Sequence, residues 1–113
     1  MKLATTTEDF QRFFDNNIER ITHVAEAGFK YIDLNMYTEK GNPDIFSDDN
    51  WRDNIIKIKN HAEDLGLTFV QSHAPGMNPF GRDTDYHHVV DIVKRSIEVC
   101  GMLGIDKLVL HNG

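Results

Sequence analysis

The sequence is poor in the features that mark secreted, membrane-spanning or nucleic-acid-coating proteins. It has a single cysteine, Cys100, in 113 residues, so no disulfide can close within the chain, which suits a reducing compartment. No run approaches the ~18 apolar residues a membrane span requires. The start, Met1-Lys2-Leu3-Ala4-Thr5, has no apolar core of signal-peptide length. A cytoplasmic protein with no membrane partner is therefore expected. Positive charge is also scarce: 12 Lys and Arg against 18 Asp and Glu leave a net charge of −6. Binding phosphate backbones without regard to sequence needs several Lys or Arg contacts, so nucleic acid is not an expected partner. No glycine-rich phosphate cradle leads into a helix, and no serine or cysteine sits in a nucleophile-elbow pattern.

What the chain does contain is one phrase used three times. Leu65-Gly66-Leu67-Thr68-Phe69-Val70-Gln71-Ser72-His73-Ala74-Pro75-Gly76 reads as a helix end, a glycine stop, a short apolar strand and a polar tip. Ala27-Gly28-Phe29-Lys30-Tyr31-Ile32-Asp33-Leu34-Asn35 precedes it, and Leu103-Gly104-Ile105-Asp106-Lys107-Leu108-Val109-Leu110-His111 follows. Gly28, Gly66 and Gly104 fall at equal intervals of 38 residues. A fixed period of that size means a repeated supersecondary unit, and its length fits a strand plus a crossover helix.

Taken in order, Lys2 to Thr5 reads as a first strand. The apolar positions Phe10, Phe13, Phe14, Ile18, Ile21, Val24 and Ala25 step by three and four, as on a helix face. Asp15-Asn16-Asn17 interrupts them, so a short turn followed by a helix from about Asn16 fits equally well. Tyr31 to Asn35 is the second strand, and Met36 through Asn50 reads as a loop. Ser47 or Asp48 is placed to cap the next helix, whose buried face is Trp51, Ile55, Ile58, Ala62 and Leu65. Thr68 to Ser72 is the third strand and Ala74 to Thr84 a second long loop. A third helix spans about Asp85 to Leu103, buried through Val89, Val90, Val93, Ile97 and Cys100. Lys107 to Leu110 is the fourth strand. The result is one α/β domain over residues 1–113, with parallel strands joined by right-handed crossover helices. The long loops follow the strands, and parallel α/β folds place their sites at that end.

Overlaying the three phrases puts Asn35, His73 and His111 on one equivalent position at the strand tips. Imidazole is the commonest neutral nitrogen ligand for zinc and similar metals. Neighbouring strands lie about 5 Å apart, so His73 and His111 can share one ion. The alternative is that each merely ends its strand and hydrogen-bonds a nearby carbonyl. His23, His61, His87 and His88 read as surface or boundary residues. Asp44, Asp48 and Asp49 read as caps, and Met36, Tyr37, Met77 and Phe80 as walls of a pocket or as loop packing. Cys100, on an apolar helix face, reads as a buried inert thiol.

At Ser72-His73-Ala74-Pro75 and Val109-Leu110-His111-Asn112-Gly113 the chain resembles the xylose-isomerase-like TIM-barrel superfamily. The Ala27-Gly28-Phe29, Leu65-Gly66-Leu67 and Leu103-Gly104 phrases extend the likeness along the whole chain. The resemblance implies the N-terminal half of a (β/α)8 barrel, since a full barrel takes about 250 residues. It also implies a sugar or sugar phosphate isomerase or epimerase, with metal-assisted proton transfer on a carbohydrate. In the endonuclease branch of that superfamily the positions of His73 and His111 bind zinc; in the isomerase branch they line the substrate pocket, with the metal held largely by ligands on later strands. The resemblance thus implies that His73 and His111 contact substrate or a divalent ion (Zn, Mn or Mg), and that Asn35 binds a substrate hydroxyl. The acid/base carboxylates of relatives lie on later strands, so the 113 residues alone are expected to be inactive. Two other readings stay open: a non-catalytic half barrel that binds or assembles, and a zinc-dependent apurinic-endonuclease-like phosphodiesterase. The bare edges of the first and last strands point to a possible homo-oligomer.

Overall fold

A computed structural model describes residues 3–78, 80–81 and 85–111. Lys2 of the expected first strand, Pro79 and residues 82–84 of the second long loop, and the Asn112-Gly113 end of the resemblance motif lie outside the described residues. Four strands, β1 (Ala4–Thr6), β2 (Tyr31–Asn35), β3 (Thr68–His73) and β4 (Leu108–Val109), form one sheet in the order β1-β2-β3-β4. Every pairing is parallel. Helices α1 (Asn17–Glu26), α3 (Trp51–Asp64) and α4 (Tyr86–Leu103) make the crossovers, and the short helix α2 (Pro43–Phe46) sits in the loop after β2. Parallel strands in sequential order with helices between them are the arrangement of the N-terminal portion of a TIM barrel.

The three repeat glycines end the three crossover segments. Gly28, Gly66 and Gly104 have φ of 92°, 71° and 70°, and no other described residue has positive φ. At Gly104 the left-handed turn lets its N–H return to the carbonyls of Cys100 and Gly101, which satisfies groups a helix end leaves open. A side chain at this φ would crowd the following carbonyl.

The helices start where polar side chains cap them. Asn16 accepts from the N–H of Glu19 and Asp85 from those of His87 and His88, so the reading of a helix from about Asn16 holds. A 3-10 turn (Thr7–Phe10) occupies the stretch before it. Leu65, expected on the buried face of α3, is 38% exposed just past the helix end, and two further expectations need correction. Ser47 ends α2, and Asn50 holds the N-cap position of α3. Asp48 instead accepts from the N–H of Asn50 at 2.8 Å and from the Asn54 amide at 3.0 Å. The second correction is on α4, where Ile97 is 55% exposed. The buried stripe runs through Val89, Ile92, Ser96, Val99, Cys100 and Leu103, because the helix turns its Ile92–Ser96–Val99 side to the sheet.

The core lies between the helices and one face of the sheet. Ile32 and Leu34 of β2 are fully buried beside Ile21, Val24, Ile55, Ile58 and Val99. Asn17 ties α1 to the loop after β2: its backbone N–H and its amide both donate to Asp44, at 3.0–3.1 Å.

The register contains one irregularity that sets the site. Tyr31 pairs with Thr68 and Ile32 with Phe69, but Asp33 pairs with Gln71 and Asn35 with His73. Val70 is therefore an extra residue, a bulge in β3. A bulge re-aims the side chains beyond it. With it, Gln71 and His73 share a face with Asp33 and Asn35, while Ser72 turns to the helices and donates its hydroxyl to the Leu34 carbonyl at 2.7 Å.

Candidate functional site

The carboxyl ends of β2, β3 and β4 surround a cleft of about 290 Å³ lined by Thr6, Glu8, Asp33, Asn35, Tyr37, His73 and His111. All three residues expected at the strand tips are in it. Asn35 and His73 are direct register partners, as the overlay requires. His111 is not their equivalent: His73 pairs with Val109, so His111 stands two residues further along, on the same side of the pleat. Strands in a barrel are staggered, and an equal sequence period need not give equal height. The two imidazoles still meet, with ring centroids 6.0 Å apart and planes at 21°. The Tyr37 and His111 rings meet at 85° with centroids 5.2 Å apart.

Each member is held differently. His73 Nδ1 lies 3.0 Å from Asp33 Oδ1, and Gln71 donates its amide to Asp33 Oδ2 at 2.9 Å. Side-chain exposures of 26% for His73 and 15% for Asp33 place this pair partly out of water. Asn35 is buried; its amide donates to Glu8 at 2.9 Å and its side-chain oxygen accepts from the Tyr37 N–H at 2.7 Å. Its backbone N–H donates to Thr7 Oγ1. Asn35 thus fixes the two loops that flank the cleft, one after β1 and one after β2.

Beside the cleft, and sharing Tyr37 with it, a wider hollow of about 620 Å³ is bordered by Gln11, Lys40, Pro75 and Met77. A Cβ on Gly76 would collide with the Tyr37 ring, so glycine lets the loop after β3 close on that aromatic. Of the four candidate wall residues, Tyr37 and Met77 line these spaces, Met36 is fully buried in the core and Phe80 is 85% exposed. His88 reaches Glu39 at 3.1 Å, linking the start of α4 to the loop after β2. His23 stacks on Phe14 at 4.0 Å, and His61 bonds Thr22 at 2.7 Å; neither is near the cleft residues named above. Burial pushes the Cys100 thiol up, which keeps it protonated and inert.

Asp33, Gln71 and Glu8 were not anticipated. Alternation within Tyr31-Ile32-Asp33-Leu34-Asn35 could have placed Asp33 on the face of Asn35. The same alternation puts Gln71 on the face of His73; the bulge at Val70 that brings this face level with Asp33 has no signature in the sequence.

A parallel sheet in the sequential order β1-β2-β3-β4, with crossover helices and a polar cleft at its carboxyl rim, is the arrangement of the (β/α)-barrel class. Within it, the chain belongs to the xylose isomerase-like TIM barrel family, whose sequence model matches residues 21–113. No curated protein matches the sequence. Among solved structures the chain resembles a probable 3-DHS dehydratase from Bacillus anthracis involved in petrobactin synthesis, at TM-score 0.66 and 13% identity over 97% of this chain and 38% of that one. It also resembles D-psicose 3-epimerase, whose crystal was obtained in the presence of D-fructose, at TM-score 0.64 and 16% identity over 97% and 37%. A third is 3-keto-D-glucoside 4-epimerase from E. coli, at TM-score 0.62 and 17% identity over 96% and 36%. Such identities carry the fold and not the reaction. The chain spans under two-fifths of the length of these neighbours. No helix among the described residues is long and apolar enough to cross a membrane.

Proposed function

We propose that the chain supplies part of the substrate cleft of a sugar or sugar phosphate isomerase or epimerase, working by metal-assisted proton transfer next to a carbonyl. The observation that carries this reading is the convergence of His73 and His111 on one cleft, with Asp33 behind His73. Family membership and two epimerases among the fold neighbours agree with it.

Of zinc, manganese and magnesium, a pair of imidazoles suits zinc, whereas manganese and magnesium would draw on oxygen ligands. Two imidazoles offer neutral nitrogens, and a carboxylate behind one of them is a common arrangement around metal-bound histidine. When bound, such an ion would polarise the substrate oxygens. The described residues hold no group of three or more His, Cys, Asp or Glu placed to hold an ion. On this reading the reaction would need further ligands, and carboxylates to move the proton, besides these residues. The chain's own contribution is positional: His73 and His111 present nitrogens, Tyr37 offers a ring edge and hydroxyl to a sugar, and Asn35 holds the flanking loops. The 113 residues alone bind and do not turn over. Strand addition along β1 and β4, by a second copy or by further chain, would complete the rim. A phosphodiesterase acting on damaged DNA is disfavoured, since a net charge of −6 opposes binding to a duplex.

Calorimetric titration of the chain with Zn²⁺, followed by D-fructose, tests this reading. Binding of the ion, lost in His73→Ala while the far-ultraviolet circular dichroism is unchanged, supports it. Absence of binding, or equal binding in the variant, overturns it.

A further inference from the structure

On β3, Gln71 and His73 stand on either side of one carboxylate. Gln71 donates to Asp33 Oδ2 and the ring of His73 meets Oδ1. The two donors are two residues apart on one strand, and they face Asp33 only because Val70 bulges out of register. An ionised carboxylate can only accept, so the nitrogen facing it must carry a hydrogen. From this geometry we infer that Asp33 and Gln71 form a clamp that fixes His73 as the Nδ1–H tautomer and leaves Nε2 as an acceptor for a ligand. The inference deepens the proposed function, because it says what kind of group the cleft takes at this point: an electron-pair acceptor, either a metal ion or the hydrogen of a sugar hydroxyl.

In a neutral imidazole one nitrogen donates and the other accepts, and the hydrogen bond at one decides the state of the other. Without a partner the ring is free to choose either form. Here Asp33 is mostly buried (15% exposed), and its other oxygen is already occupied by Gln71, so the carboxylate cannot swing away from His73 without breaking that second bond. Among the described residues His111 has ring contacts only, with His73 and Tyr37. The two histidines are therefore unequal, one set in its state and orientation and the other left to adjust. Asp33 is a positioning residue, since it acts through His73. A carboxylate behind a metal-binding histidine typically changes metal affinity by about 10–100-fold.

The test is long-range ¹H–¹⁵N correlation of the imidazole groups in the full chain at a pH where histidine is neutral. Wild-type His73 is expected as the Nδ1–H form, and this needs no variant to fold. Asp33→Ala should shift the ring to the Nε2–H form or to a mixture, and Gln71→Ala should do so partially. Asp33→Asn, which keeps one acceptor oxygen for two donors, should fall between. Finding wild-type His73 as Nε2–H, or finding it unmoved in a folded Asp33→Ala, overturns the inference. Zn²⁺ titration of the same samples should show a 10–100-fold loss in Asp33→Ala, and D-fructose added without metal reads the hydroxyl arm. If the tautomer is as stated but neither probe binds, the clamp stands and the sugar-isomerase reading fails. If the probes bind and the tautomer is wrong, the reverse holds.

Discussion

On β2, Ile32 and Leu34 turn toward the helices and are fully buried, whereas Asp33 and Asn35, their neighbours in sequence, turn the other way and bond to cleft residues. The same five residues serve two layers. On the helix side the contacts are apolar and close-packed with Ile21, Val24, Ile55 and Val99. On the cleft side they are hydrogen bonds among Asp33, Gln71, His73, Asn35 and Glu8. The difference teaches that stability and chemistry are separated by the two-residue period of the strand and not by distance along the chain.

Substitutions on opposite faces should therefore have opposite signatures. Leu34→Ala removes a fully buried side chain and is expected to cost about 2–5 kcal/mol, measured by urea unfolding. His73→Ala, on the other face, leaves Asp33 Oδ1 without its ring partner and should cost about 1 kcal/mol, well below Leu34→Ala, while abolishing ion binding. Equal costs for the two would break the comparison.

A smaller effect sharpens it on the helix side. Gly104→Ala places a side chain at φ of 70° with open space around the Cβ, so only backbone strain is added. The expected cost is about 1–2 kcal/mol, with Zn²⁺ affinity unchanged because the cleft is untouched. Loss of ion binding in this variant would show that the two layers are coupled.

The smallest effect is electrostatic. The Asn54 amide, then the Asn50 N–H, hold the Asp48 carboxyl below its ordinary value. A group depressed on folding contributes stability above its unfolded value (about 3.9), and that contribution fades as pH falls through the folded value. Carboxyl ¹³C titration of Asn54→Ala should move the Asp48 midpoint upward, toward the ordinary range, while His73 and His111 keep their wild-type signals.

The helix-side layer was legible in the sequence, and the cleft only in part. Equal spacing of Gly28, Gly66 and Gly104 fixed the unit, because each needs a left-handed turn at a helix end, and apolar stepping from Trp51 to Ala62 marked the face of α3. Asn35 and His73 fell at matching positions because the repeat length absorbed the bulge at Val70. What escaped was register. The stagger between β3 and β4 that carries His111 past His73 arises from how strands tilt in the sheet. The pairing of Gln71 with Asp33 arises from one extra residue, and no local residue preference announces either. On α4, Ile97 looked buried because the apolar residues outnumber the positions the sheet can cover.

The most direct test of the convergence of β3 and β4 is the nuclear Overhauser effect between the ring protons of His73 and His111 in the full chain. With ring centroids 6.0 Å apart and nearly parallel planes, a cross-peak is predicted, together with one from His111 to the Tyr37 ring. Assigned spectra of the folded chain in which His111 contacts neither ring would contradict a shared cleft.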